Sequence, residues 1–246
     1  MIISHKYKFI FVKTRKVGGT SLEIALSKHL GEDDIVTLIA EEKIREERGY
    51  KTGRHYKKSI FEIRPSDIIQ WLGQCIQQLH RSIKLGVKFN RPARPRKFAP
   101  HMTAKEIRDT VGKDIWDSYF KFTIERNPWD MVVSYYYFWM KHNCEIPFEK
   151  FVKNGTSQNA TNLPFYTDGD DILVDKVIRY EDLDASLAEI SKLIGYPENI
   201  ADIMKDISTK SHIRQERDYH KLYNEETKEI VANQFAREIK MYDYKY

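Results

Sequence analysis

The chain of 246 residues is poor in several features that would otherwise set its class. It has two cysteines, Cys75 and Cys144, too few for a disulfide framework and without metal-ligand spacing. No apolar run approaches the ~20 residues that a membrane-spanning helix needs. Phe9-Ile10-Phe11-Val12 is too short for the apolar region of a signal peptide, and polar Lys13-Thr14-Arg15-Lys16 follows at once. A cytoplasmic protein is therefore expected. There is no internal repeat and no low-complexity tract. Charge of one sign is also scarce: 41 Lys+Arg stand against 36 Asp+Glu, a formal net charge of +5, and nucleic acid is not an expected partner.

That small excess is concentrated. Arg81, Lys84, Lys88, Arg91, Arg94, Arg96 and Lys97 give residues 81–97 a local +7 with no acid, leaving the other 229 residues at −2. Pro92, Pro95 and Pro100 keep this strip from forming a regular helix, so a basic loop is expected.

An apolar fraction of 41% with 13% aromatics is globular, and the length suits one domain over 1–246. Tyr7 to Val12 reads as a buried strand, broken by Gly18-Gly19-Thr20-Ser21 and followed by helical spacing through Leu30. Ile35 to Ile39 reads as a second strand and 41–48 as a charged helix. From Ser66, the residues Ile68, Ile69, Leu72, Cys75, Ile76, Leu79 and Ile83 mark one face of an amphipathic helix. Thr103 and Glu106 form a capping box.

Tyr119 to Ile124 reads as a strand, Arg126-Asn127-Pro128 as a turn, and Trp129 to Met140 as a helix with Pro128 at its first position. Residues 154–170 read as a surface loop, Ile172 to Ile178 as a strand, Leu187 to Ile194 as a helix stopped by Gly195, and Glu225 to Met241 as a terminal helix. Strands alternating with helices predict an α/β fold, a central mostly parallel sheet flanked by helices. Ligands of such sheets bind at the carboxyl ends of the strands, where both turns lie.

The first turn is Lys16-Val17-Gly18-Gly19-Thr20-Ser21. Glycines admit an anion to the backbone, helix-start N–H groups point at it, and Lys16, Thr20 and Ser21 add a charge and two hydroxyls. A nucleotide P-loop places its lysine after the glycines, whereas here the lysine comes first. In the second turn, Arg126 ends a strand and Ser134 lies eight residues on, so both can converge on one anion.

Together these segments resemble the two cofactor signatures of the sulfotransferases that use 3′-phosphoadenosine 5′-phosphosulfate (PAPS). The match is closest to the carbohydrate-type branch: Lys16 through Ser21 is similar to its Lys-Thr-Gly-x-Thr-Ser loop, with Val17 where Thr is usual. Phe122-Thr123-Ile124-Glu125-Arg126-Asn127-Pro128-Trp129-Asp130 through Ser134-Tyr135 is similar to the second signature. Arg179-Tyr180-Glu181-Asp182-Leu183 and the ending Tyr219 to Tyr246 also agree. Residues 40–98 carry no resemblance and read as a family-specific insertion with the basic loop 81–97.

The resemblance implies a P-loop-like sulfotransferase fold, PAPS as co-substrate with the desulfated nucleotide PAP as product, no metal, and a hydroxyl acceptor, for which the branch suggests an anionic carbohydrate while peptide tyrosine, lipid and small hydroxyl metabolites stay open. It further implies that Lys16, Val17, Gly18, Gly19, Thr20 and Ser21 grip the phosphosulfate, Lys16 stabilising the leaving oxygen, while Arg126 and Ser134 grip the 3′-phosphate. A basic loop near the carboxyl end would close over the nucleotide, which makes Arg214, Arg217 and Ser211 candidates. A histidine at a similar place serves as base in uronyl-type relatives, and His101 stands there. Glu41, Glu42, Asp168, Asp170 and Asp171 are the undistinguished carboxylate alternatives.

Trp129 is placed to stack on a base, the run Tyr135 to Trp139 reads mainly as core, and Arg179 with Glu181 reads as structural pairing. Two other functions compete: a P-loop kinase, disfavoured by the lysine-first order, and a non-catalytic binder of anionic polymers through the basic strip.

Overall fold

Alternation along the inner strands assigns each side chain to one of two cores. Phe9, Phe11, Phe122 and Ile124 face one side of the sheet, while Ile3, Ile10 and Val12 face the other, and all seven are fully buried. The structure, a computed structural model, describes residues 1–59, 62–85, 96–143, 145–207 and 216–246.

Strands β1 (Ile2–Ser4) and β2 (Phe9–Phe11) precede helix α1 (Gly19–Leu26), strand β3 (Ile35–Val36) and helix α2 (Glu42–Glu47). Helices α3 (Pro65–Leu85), α4 (Ala104–Val111) and α5 (Lys113–Ser118) lead to strand β4 (Phe120–Glu125) and helix α6 (Pro128–His142). Helices α7 (Phe148–Lys153) and α8 (Leu163–Tyr166) precede a short hairpin of β5 (Thr167–Asp168) and β6 (Asp171–Ile172). Strand β7 (Lys176–Arg179) and helices α9 (Leu183–Leu193), α10 (Ile200–Lys205), α11 (Glu225–Gln234) and α12 (Ala236–Tyr242) complete the chain.

The main sheet has the order β3-β1-β2-β4-β7. β2 pairs with β4 in parallel, Phe11 opposite Phe122, and β4 pairs with β7 in parallel, Glu125 opposite Arg179. β1 is antiparallel to both of its neighbours, so four strands share one direction and β1 alone is reversed. α1 and α6 cover one face with Leu22, Leu26, Val132 and Val133; α4, α5 and α8 cover the other with Ile107, Trp116 and Tyr166. The sheet is thus mixed, with helices on both faces, as expected for the α/β class.

Local signals hold where chemistry is local. Thr103 and Glu106 form the capping box of α4, and Pro128 opens α6 behind an Asn127 side chain that accepts from the Trp129 N–H. Gly195 follows α9 with φ 65°, the left-handed stop that glycine makes without strain.

Elsewhere the expected elements shift. Residues 154–170 are no plain surface loop: 156–160 form a 3-10 turn, α8 follows, and Leu163, Phe165 and Tyr166 are buried in the second core. The strand expected from Ile172 to Ile178 divides between β6 and β7. The terminal helix breaks at Phe235, where the backbone leaves helical angles and the side chain is 2% exposed in the core. Helix α3 forms over the expected range, but Ile69, Ile76 and Ile83 of its apolar stripe stay exposed. Trp129 is also core: it is 5% exposed, its indole N–H donates to the Lys228 carbonyl, and its ring meets Tyr246 edge-on, so it cannot stack on a base.

Phe122 contacts Phe9, Phe11 and Phe120 in the centre of the first core. Phe122→Ala is expected to lower unfolding stability by about 3–5 kcal/mol, the usual cost of a buried Phe-sized cavity, in a denaturant titration.

Candidate functional site

Both turns open into a single cleft of ≈ 1040 Å³ at the carboxyl ends of β2 and β4. After β2, the chain runs through Lys13 and Thr14, which are buried, before Lys16 and Gly18 take positive φ values of 58° and 72°. Lys16 is a non-glycine residue in the left-handed region, a conformation held only by its surroundings. A Cβ on Gly18 would come within 3.1 Å of the Met204 side chain, and one on Gly19 within 3.3 Å of Lys13. No side chain caps α1, whose N-cap is Gly18, and its first turn faces the cleft through Gly19, Thr20 and Ser21.

What sets this loop is a pair that sequence reading missed. Glu23, on the first α1 turn but one, is fully buried and ion-paired with Lys13 and with the Met1 ammonium. Burial alone would raise its carboxyl, but Lys13 and the Met1 amino group, itself lowered by the same burial to about 5, overcome that and hold it well below the usual range. The signal was available: Glu23 interrupts Leu22, Ile24, Ala25 and Leu26, where a charge needs a partner. Lys13 also reaches Thr20 Oγ1 at 3.4 Å, which ties the strand end to the helix start.

Arg126 ends β4 and is 8% exposed. Its Nε donates to Asp130 at 2.7 Å, its Nη1 donates to the Lys16 carbonyl at 2.8 Å, and its guanidinium lies 4.3 Å over the Tyr180 ring. One side chain therefore ties the second turn to the first across 110 residues. Behind it, Glu125 is buried, accepting from the Arg126 N–H and from the Tyr166 hydroxyl at 2.7 Å. Burial pushes its carboxyl up to about 7. Glu181 accepts from the Asn127 N–H at 2.8 Å and so braces the turn, whereas Arg179 pairs not with it but with the exposed Asp182 at 3.2 Å.

Among the sequence candidates, Lys16, Gly18, Gly19, Thr20, Ser21, His101, Arg126 and Ser134 all line the cleft. Val17 does not: its side chain is fully buried in the first core, which anchors the loop from below. Arg217 is exposed away from the cleft lining. Ser211 and Arg214 lie outside the described residues.

His101 stands at the mouth with its ring edge against Phe165 and Nδ1 3.2 Å from the Lys13 carbonyl oxygen. Donation from Nδ1 to that oxygen leaves Nε2 as the basic nitrogen. Desolvation, then the nearby Lys13 charge, lower its pKa to about 4, so the imidazole is neutral near pH 7. Of the five carboxylate candidates, Glu41 alone lines the cleft. Glu42 serves Arg45, Asp168 pairs with Lys105, Asp170 with Arg237, and Asp171 is exposed on the hairpin.

The cleft also gathers residues without a sequence signal: Phe138, Lys141 and His142 from the far half of α6, and Tyr180, Met204 and Lys205. Lys16 Nζ lies 4.7 Å over the Phe138 ring. The lining carries six Lys or Arg residues and the carboxylate of Glu41; Lys13, Arg126 and Lys205 are paired with carboxylates outside the lining, which still leaves the cleft a cationic excess suited to a polyanion. Among the described residues, no group of three His, Cys, Asp or Glu is placed to hold a metal, and no helix is long and apolar enough to cross a membrane.

A family model described as a sulfotransferase domain matches residues 50–245, a span that includes Arg126 and Ser134 and begins beyond the Lys16 turn. An uncharacterized protein of Archaeoglobus fulgidus is 39% identical over 104 residues, covering 40% of this chain and 87% of its own. No solved structure matches.

Glu23→Gln should leave Lys13 charged and buried without its counter-ion. The expected cost is about 3–5 kcal/mol of unfolding stability in urea, against less than about 0.5 kcal/mol for an exposed control such as Glu46→Gln.

Proposed function

From the sulfotransferase family to which the chain belongs, we propose that it moves a sulfuryl group from PAPS to an acceptor hydroxyl in this cleft. The observation that carries the reading is the convergence of Lys16, the α1 start, Arg126 and Ser134 on one cationic wall. The cleft volume is ample for a nucleotide and part of an acceptor together.

PAPS, when bound, supplies the sulfuryl group and an anionic leaving group. The α1 start, Thr20 and Ser21 suit the phosphosulfate end, bordered by Gly18 and Gly19, where a Cβ would press on Met204 and Lys13. Arg126 and Ser134 suit the 3′-phosphate; the guanidinium is already oriented by Asp130 and the Lys16 carbonyl, so little rotamer entropy remains to be lost. Lys16 contributes a positive charge where negative charge develops as the sulfur–oxygen bond breaks.

His101 Nε2, neutral near pH 7, takes the acceptor proton. The acceptor enters from the His101 side, where Arg96 and Lys97 bring the described end of the basic strip close to the histidine in sequence. Lys97 pairs with Glu62 there, and the Arg96 backbone forms an antiparallel β-bridge with that of Lys57. A cationic approach of this kind fits an anionic acceptor such as an acidic carbohydrate.

Lys16→Ala is expected to reduce sulfuryl transfer by roughly 10²–10³-fold while keeping thermal stabilisation by PAP, because the lysine acts on the developing charge and not chiefly on ground-state binding. Transfer is read by mass spectrometry on acceptor panels. Unchanged turnover in this variant removes the catalytic role of Lys16, and transfer from ATP with Mg²⁺ but not from PAPS replaces the reading with a kinase.

The pH profile tests the base. With His101 at about 4 in the free protein, kcat/KM should hold from neutral pH down to about 5 and then fall through about 4, not near the ordinary histidine value. His101→Gln should flatten that limb as well as slow the reaction. A limb that persists in His101→Gln transfers the base role to Glu41.

A further inference from the structure

Helix α3 turns its apolar stripe away from the body of the protein. Ile69, Leu72, Ile76, Leu79 and Ile83 are 70, 48, 67, 49 and 76% exposed. The edge that is more covered carries Asp67, Trp71, Cys75 and Ser82 instead, with Asp67 held by Lys58 at 2.7 Å. A lone surface helix normally does the reverse.

The stripe has a narrower pattern than an amphipathic face. Its spacing runs three, four, three, four, which is the a/d seam of a heptad repeat, with isoleucine at every a position and leucine at every d. That combination favours two strands. Among the flanking e and g positions, Gly73, Cys75 and Ser82 are small while Ile68 and His80 are large. The outer face carries uncharged Gln70, Gln74 and Gln77 along most of its length and cations only in its last turns, Arg81 and Lys84, whereas a helix lying on a membrane surface is rich in lysine and arginine there.

The exposed stripe amounts to on the order of 600 Å² per chain, so a symmetric pair would bury about 1,200 Å² in total, the lower bound of a specific interface. It also lies at the top of the range for a single apolar patch on a monomer. We propose that α3 pairs with α3 of a second copy of this chain as a two-stranded coiled coil, forming an isologous homodimer.

Sedimentation velocity of the full chain at micromolar concentration tests this. The expected mass is that of two chains. Ile76→Glu with Leu79→Glu should halve it while leaving the near-ultraviolet dichroism unchanged, since neither side chain belongs to either core. Gln70→Glu with Gln77→Glu, on the outer face, should keep the mass of two chains. A wild-type protein that sediments as one chain, or an Ile76/Leu79 variant that remains a dimer, overturns the proposal. So does a monomeric wild type that pellets with equimolar phosphatidylcholine–phosphatidylserine vesicles while the variant does not, which would give the stripe to a membrane surface.

Discussion

The guanidinium of Arg126 is shared between two turns that the sequence keeps 110 residues apart. Two of its nitrogens are fixed on Asp130 and a third on the Lys16 carbonyl, while Tyr180 covers its face. The parallel pairing of β2 with β4 brings the strand ends side by side, but it does not by itself orient the loops that leave them. The arginine does, because a planar fork can bond a carboxylate and a carbonyl in one geometry. Lysine in its place would offer a point charge and leave the Lys16 loop without its tether.

The cations around the cleft fall into two kinds. Lys13 and Arg126 are compensated by Glu23 and Asp130, and their charges stabilise the scaffold. Removing either carboxylate would leave an uncompensated charge in a poorly solvated place. The far half of α6 adds Lys141 to the same wall, and the end of α10 adds Lys205, which is itself paired with Asp184 and Asp202. Positive potential at the cleft is thus produced by a minority of the basic residues, and the net charge of +5 conceals it.

The two turns were legible in the sequence because their determinants are local: glycines that accept positive φ, a proline at a helix start, and an arginine at a strand end. Seven of the expected residues meet in the cleft for that reason, and His101 joins them from outside both turns. What was not legible depends on distant partners. Trp129 is taken into the core by Lys228 and Tyr246, Val17 by the apolar residues beneath the loop, and Phe235 breaks a helix whose sequence has no breaker. The polar-looking stretch 154–170 is held down by Leu163, Phe165 and Tyr166, three side chains too few to register as a pattern. Glu23 could have been found, since a carboxylate within an apolar helix requires a buried cation.

The parallel register also constrains how the molecule is made. Phe9 pairs with Phe120, so the hydrogen-bonding edge of β2 has no partner until more than a hundred further residues exist. At a synthesis rate of about 5–20 residues per second, that edge waits roughly 5–20 seconds on the ribosome. During that interval the hairpin of β1 and β2, with Phe9 and Phe11 not yet covered, presents an apolar strand to any chaperone or neighbouring nascent chain. The contact order that places the two turns side by side therefore also leaves one of the earliest-made strands the longest without its second partner.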